Sequence, residues 1–168
     1  MEEQEITREE VLKDTFPAPK TERSLYKHSL KSRVRTYDVD RQSIVHNAVY
    51  LYWLEASRVE YFREIGLPID SRTFVSKHRF VVAHTEIDYF NAAQFDDEYE
   101  VLTRVSSIKN SSFEFEQIIQ LLNGKLIVKA KSVMVHLNPA THKPERINDS
   151  YREMIRDSEG DDVEFIQQ

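Results

Sequence analysis

The sequence predicts an α+β domain in which an antiparallel sheet wraps around one long helix. Three observations point there. One strong helical segment, roughly His46 to Ile65, comes early in the chain. Four segments rich in β-branched and aromatic residues follow it. Asn123-Gly124 joins the last two as a hairpin, which makes them antiparallel neighbours.

Taken in order, Met1 to Lys27 is charged and broken by Pro17 and Pro19, and reads as a polar extension. Within it Ile6, Val11, Leu12 and Phe16 have the spacing of a short amphipathic helix. Leu30 to Tyr37 alternates as a strand does, and Asp38 to Val45 is irregular. In the helix, Ala48 to Leu54 is apolar or aromatic at every position, which predicts a buried helix. Its stop is Gly66 followed by Pro68. Strands are expected over Phe74–Phe90, Glu98–Ile108, Ser112–Leu122 and Lys125–Leu137. Asn123 and Gly124 suit a type I′ turn, which needs positive φ at both central positions. A short helix is expected from Asp149, carrying Tyr151, Met154 and Ile155. The domain is therefore placed at 28–156, and the acidic stretch Asp157 to Gln168 reads as a tail that frays. The outer face of such a sheet stays exposed, which favours dimerisation.

Composition narrows the function. A chain of 168 residues suits one domain with one core. It has no cysteine, so thiolate nucleophiles and thiolate metal sites are excluded. A net charge of −6 argues against nucleic acid and anionic membrane as partners. The acidic, polar start lacks the pattern of a secretory signal, and no apolar stretch is long enough for a membrane span, so a cytoplasmic protein is expected. His78 and His84 share a strand face but lack a third ligand, and no metal site is expected.

Chemistry concentrates in Val34 to Gly66. Asp38 and Asp40 alternate at a strand's end, directly before the helix. A carboxylate there can serve as general base or nucleophile. The helix start at His46 and Asn47 offers unpaired backbone N–H groups and a positive dipole end, suited to an oxyanion on a thioester carbonyl. Asp-x-Asp before a helix is also ordinary capping chemistry, and His46 reads equally as a capping residue. Glu55 is a second candidate acid or base, or an ion-pair partner for Arg58 three residues on.

The segment resembles the signature of the 4-hydroxybenzoyl-CoA thioesterase and YbgC-like branch of the hotdog superfamily, D-x-D-x-x-G-x-V-x-N-x-x-Y followed by an aromatic E-x-x-R helix. The matching residues are Asp38, Asp40, Val45, Asn47, Tyr50, Glu55 and Arg58. Ile87-Asp88-Tyr89-Phe90 with Ala93, then Asp97 to Val101, Ser111-Ser112-Phe113 and the closing strand from Lys125 to His136, align in the same order. The resemblance covers roughly Ser29 to Asp149. The signature's glycine is Ser43 here. Another branch, with a carboxylate on the helix after a His-Gly-Gly turn, fits worse, because the turn is His46-Asn47-Ala48.

The resemblance implies a hotdog domain that hydrolyses acyl-CoA or acyl-carrier-protein thioesters. It implies Asp40 as the catalytic carboxylate, carbonyl polarisation near Asn47 with His46 beside it, and no cofactor beyond the coenzyme A of the substrate. It puts Tyr50 at the acyl pocket or the dimer contact, and Ser43, in place of the glycine, would narrow the pocket mouth. Lys109, Ser111 and Ser112 become candidates for coenzyme A contacts, with Lys125, Lys129 and Lys131 as further phosphate candidates. It also implies dimers formed edge to edge, often joined into tetramers. The alternatives are a hydratase or dehydratase on the same fold, or a non-catalytic acyl-CoA-binding module.

Overall fold

The structure, a computed structural model, describes residues 23–73 and 79–166. The strands are β1 (His28–Arg33), β2 (Arg79–Tyr89), β3 (Glu98–Ile108), β4 (Ser112–Leu121), β5 (Leu126–Leu137) and β6 (Glu164–Phe165). The helices are α1 (Asn47–Glu64) and α2 (Asp149–Glu159). The strands form one sheet in the order β1-β3-β4-β5-β2, all antiparallel, with β6 added in parallel beside the end of β3. The amphipathic N-terminal segment, Phe74 to His78 of the expected second strand, and the last two residues lie outside the described residues.

Strand alternation decides which face receives the helix. In β4, Phe113, Phe115, Gln117 and Ile119 are buried, while Ser112, Glu114 and Glu116 point the other way. Helix α1 lies along the buried face. Its C-terminal end closes as the glycine stop predicts: Gly66 takes φ 99°, its N–H donates to Arg63 C=O at 3.2 Å, and Leu67 N–H donates to Phe62 C=O at 2.9 Å. The helix buries one side only. Tyr50, Trp53, Leu54, Ser57, Tyr61 and Phe62 are buried, but Leu51 is 43% and Tyr52 68% exposed. The expectation of a helix buried all round is corrected, because within one chain the sheet covers a single helix face.

Among the described residues, two of the core's three apolar clusters include α1. One gathers Val34, Val45, Tyr50, Trp53 and Leu54 against Tyr99, Ile119 and Val128. The other gathers Tyr61 and Phe62 against Phe113, Phe115 and α2. A buried polar layer lies between them. Gln117 Nε2 donates to Leu54 C=O and to Thr103 Oγ1, both at 2.9 Å, and Thr103 Oγ1 meets Ser57 Oγ at 2.8 Å. Arg58 donates to Gln117 Oε1 at 2.9 Å. Each buried polar side chain finds its partner inside the layer, as burial requires.

Three expectations shift. Strand β1 begins two residues earlier than expected and ends at Arg33, because Thr36 to Asp38 turns into a 3₁₀ helix capped by Asp38. The Asn123-Gly124 hairpin is not type I′. Of its two residues only Gly124 has positive φ, at 88°, and Leu121 N–H bonds Lys125 C=O at 2.9 Å across a three-residue loop. The acidic tail does not fray within the described residues. Helix α2 continues to Glu159, β6 pairs β3, and Ile166 N–H donates to Ile108 C=O at 2.9 Å. Charge along that stretch hid its apolar anchors Val163 and Phe165, which pack in the second cluster.

Glu159 fastens this end. Its Oε1 accepts Tyr61 O–H at 2.6 Å and Val105 N–H at 2.9 Å. Lys27 donates to its main-chain carbonyl at 2.6 Å. Burial pushes the Glu159 carboxyl above its ordinary 4.5. A raised folded-state pKa means its stabilising contribution is complete below the unfolded pKa and is lost as pH rises through the folded value. Glu159→Gln, which mimics the neutral acid, is expected to gain stability relative to wild type as pH rises above the ordinary carboxyl value of 4.5. Urea melts of both proteins below and above that value check it, and a constant difference would contradict it.

Candidate active site

Asp40 sits at the head of a tight hairpin. Val39 and Val45 form an antiparallel bridge, and Asp40 N–H donates to Ile44 C=O at 2.9 Å. Ser43 N–H donates to Asp40 C=O at 2.9 Å, and Gln42 N–H to Asp40 Oδ1 at 2.7 Å. The loop Arg41-Gln42-Ser43 closes only because Ser43 adopts φ 62°. This is the left-handed region that glycine enters without steric cost. The position where the signature carries glycine is thus a backbone requirement, which serine meets under strain. Asp40 is half-buried, and no described residue donates to its Oδ2.

Asp38 does different work. It is buried, its Oδ2 accepts Arg35 N–H at 2.7 Å, and its carbonyl accepts His46 N–H at 2.9 Å. Asp38 therefore holds the loop and the residue that starts the helix.

His46 is the N-cap of α1, and its Nδ1 accepts Ala48 N–H at 3.2 Å. Asn47 N–H has no acceptor among the described residues, so it is open to an incoming oxygen. Tyr89 O–H donates to Asn47 C=O at 3.2 Å and fastens the first helical turn to β2. Tyr50 is buried, and its hydroxyl accepts Ala93 N–H at 3.2 Å. Ala93 C=O in turn accepts Val45 N–H at 2.9 Å. Burial pushes the Tyr50 hydroxyl up to about 12, with Tyr89, Asp97 and Asp40 adding to the shift, so it stays neutral. The Asp40 hairpin, the helix start and the loop at Ala93 meet in one junction. Sequence reasoning gave Ala93 and Tyr89 no role, because their contacts are to backbone atoms distant in sequence.

Lys109, Ser111 and Ser112 lie elsewhere. They form the β3–β4 turn, where Lys109 N–H donates to Ser112 C=O at 2.7 Å. Asp40 neighbours the start of β3 through Ile44, whose carbonyl accepts Asp40 N–H and which bridges Gln94, the residue whose carbonyl accepts Asp97 N–H at 3.2 Å. All of β3 intervenes, about 33 Å for a strand of this length. One chain therefore does not bring Lys109, Ser111 and Ser112 to Asp40. Lys131 is engaged by Glu116 at 3.3 Å. The expected Glu55–Arg58 ion pair does not form among the described residues, since Arg58 turns to Gln117.

Residues 34–155 match the family model of the thioesterase-like superfamily. The chain belongs to that superfamily. It is 34% identical over 107 residues to the acyl-CoA thioesterase YbgC of Haemophilus influenzae, covering 64% of this chain and 77% of that protein. It is 28% identical over 113 residues to the acyl-CoA thioester hydrolase YbgC of Escherichia coli O157:H7, covering 66% of this chain and 84% of that one. A solved thioesterase from Thermus thermophilus, complexed with coenzyme A and Zn, superimposes with a TM-score of 0.71 at 31% identity, over 80% of this chain and 96% of that one. The sheet and helix described above are thus the hotdog fold.

The hairpin carries a backbone strain at Ser43 that glycine would remove. Ser43→Gly is expected to stabilise the protein by about 1 kcal/mol. Thermal melts check it: an unchanged or lowered midpoint would mean that the serine side chain offsets the backbone strain.

Proposed function

We propose that this protein hydrolyses acyl-CoA thioesters to the free acid and coenzyme A. One observation carries the reading: the Asp40 carboxylate and the open N–H of Asn47 flank one junction at the start of α1. The likeness to acyl-CoA thioesterases supports the substrate class. Asp40 either takes a proton from water, which then attacks the carbonyl carbon, or attacks it directly to give a mixed anhydride that water opens. In both routes the carbonyl oxygen gains negative charge, and the helix N-terminus stabilises it. Collapse of the adduct releases the thiolate, which needs no strong general acid.

The same reading includes a second copy. Strand β2 is an open sheet edge, and beside it Leu51, Val82 and Tyr89 are 43%, 48% and 41% exposed. Two β2 edges paired antiparallel would bring the partner's β3–β4 end towards the Asp40 end. Lys109, Ser111 and Ser112 would then reach coenzyme A from the partner. Lys109→Glu is accordingly expected to raise KM for acyl-CoA with little change in kcat, in steady-state thiol release.

The principal test is thiol release from short, long and aromatic acyl-CoAs. Asp40→Asn keeps the Gln42 hydrogen bond but removes the base, so turnover is expected to fall about a hundred-fold or more with an unchanged melt. Equal rates in both proteins would reject the role of Asp40.

A further inference from the structure

Helix α1 presents a second stripe beside its buried face. Asn47, Leu51, Glu55, Arg58 and Phe62 recur at helical spacing along the side that faces β2. Strand β2 runs the opposite way, so that Tyr89 meets Asn47 and Phe80 stacks on Phe62 with ring centroids 5.8 Å apart. The seam between helix and strand starts at the open Asn47 N–H and is bordered by the exposed apolar residues Leu51, Tyr89 and Val82. It ends in a cavity of about 290 Å³ walled by Phe62, Phe80, Val82 and Met134, with Glu55 and Arg58 among its lining residues.

Those two charges are unusual company for an apolar pocket. Arg58 is mostly removed from solvent, and burial draws its pKa below the ordinary arginine value, with Glu55 partly opposing. A guanidinium carries five N–H donors. Arg58 uses one on the neutral Gln117 amide, and no carboxylate pairs with it among the described residues. Gln117 is itself fixed by Leu54 and Thr103, so the guanidinium is held in place beside the cavity. A purely hydrocarbon occupant would leave these donors stripped of water without a partner, which is costly. A carboxylate occupant would face repulsion from Glu55. A hydroxyl suits both, because it accepts from Arg58 and donates to Glu55.

Resting on the acyl-CoA reading above, we propose that this pocket receives the far end of a long acyl chain and that Glu55 and Arg58 select chains carrying a hydroxyl group there. Asn47 and Arg58 are separated by about 16 Å along the helix axis. An acyl group whose carbonyl sits at Asn47 must therefore be long and extended to reach Arg58. Short acyl groups and single aromatic rings end before the pocket.

The test compares dodecanoyl-, tetradecanoyl- and hexadecanoyl-CoA with their terminally hydroxylated counterparts, by kcat/KM for thiol release. Wild type is expected to prefer the hydroxylated chain at one of these lengths by about ten-fold or more, one hydrogen-bonded group's worth of discrimination. Glu55→Gln and Arg58→Met are each expected to collapse that ratio. Glu55 is exposed, so its variant keeps the test alive if Arg58→Met does not fold. Equal rates on plain and hydroxylated chains in wild type overturn the proposal, as does a preference that survives both substitutions. Absence of thiol release from every acyl-CoA would instead overturn the acyl-CoA reading, and this inference with it.

Discussion

The position of helix α1 on the sheet depends on one buried polar layer. Gln117 reaches from β4 to the Leu54 carbonyl and to Thr103, Thr103 meets Ser57, and Arg58 closes the group. Apolar packing above and below it is strong but does not fix register, because hydrophobic contact has no preferred direction. Hydrogen bonds have direction, and unmade ones are costly when buried. Sliding the helix by one turn would orphan several of these groups together. The layer therefore sets where both ends of α1 fall, and with them the hairpin that carries Asp40.

The candidate site is assembled by backbone contacts from three separate stretches of chain. Asp38 holds His46, Ala93 holds Val45, and Tyr50 holds Ala93. Asp40 needs no other anchor than its own loop, and so one of its oxygens meets no described donor. This division explains an Asp-x-Asp pattern in which the two residues have unlike surroundings. The first is buried and spent on structure, and the second is available for chemistry. Ser43 takes part by accepting a backbone conformation that few residues adopt easily.

Much of the fold was legible. Helix α1 ends where Gly66 and Pro68 say it must, and β3 spans the expected residues. Those signals are local: a left-handed cap needs glycine, and a strand run has period two. The misreadings share another cause. The apolar first half of α1 looked buried all round, but Tyr52 projects into solvent because hydrophobicity does not report which neighbour covers a side chain. The acidic C-terminal stretch looked frayed, because Glu159 is buried through contacts to Tyr61 and Val105, which are far away in sequence.

The sequence by itself determined the order of the main elements, the helix stop and the antiparallel pairing of the last strands. These follow from turn residues, periodicity and spacing, which act over a few neighbouring positions. Only the tertiary structure decided that Asp38 and Asp40 part company, that Lys109 lies a full strand away from Asp40, and that Arg58 bonds Gln117 instead of Glu55. The first turns on how deeply the packed loop buries each carboxylate, the second on the length of β3, and the third on Gln117, a partner brought near by the sheet's register and the seating of α1. Register is a property of the packed whole, set where buried polar groups must all be satisfied at once.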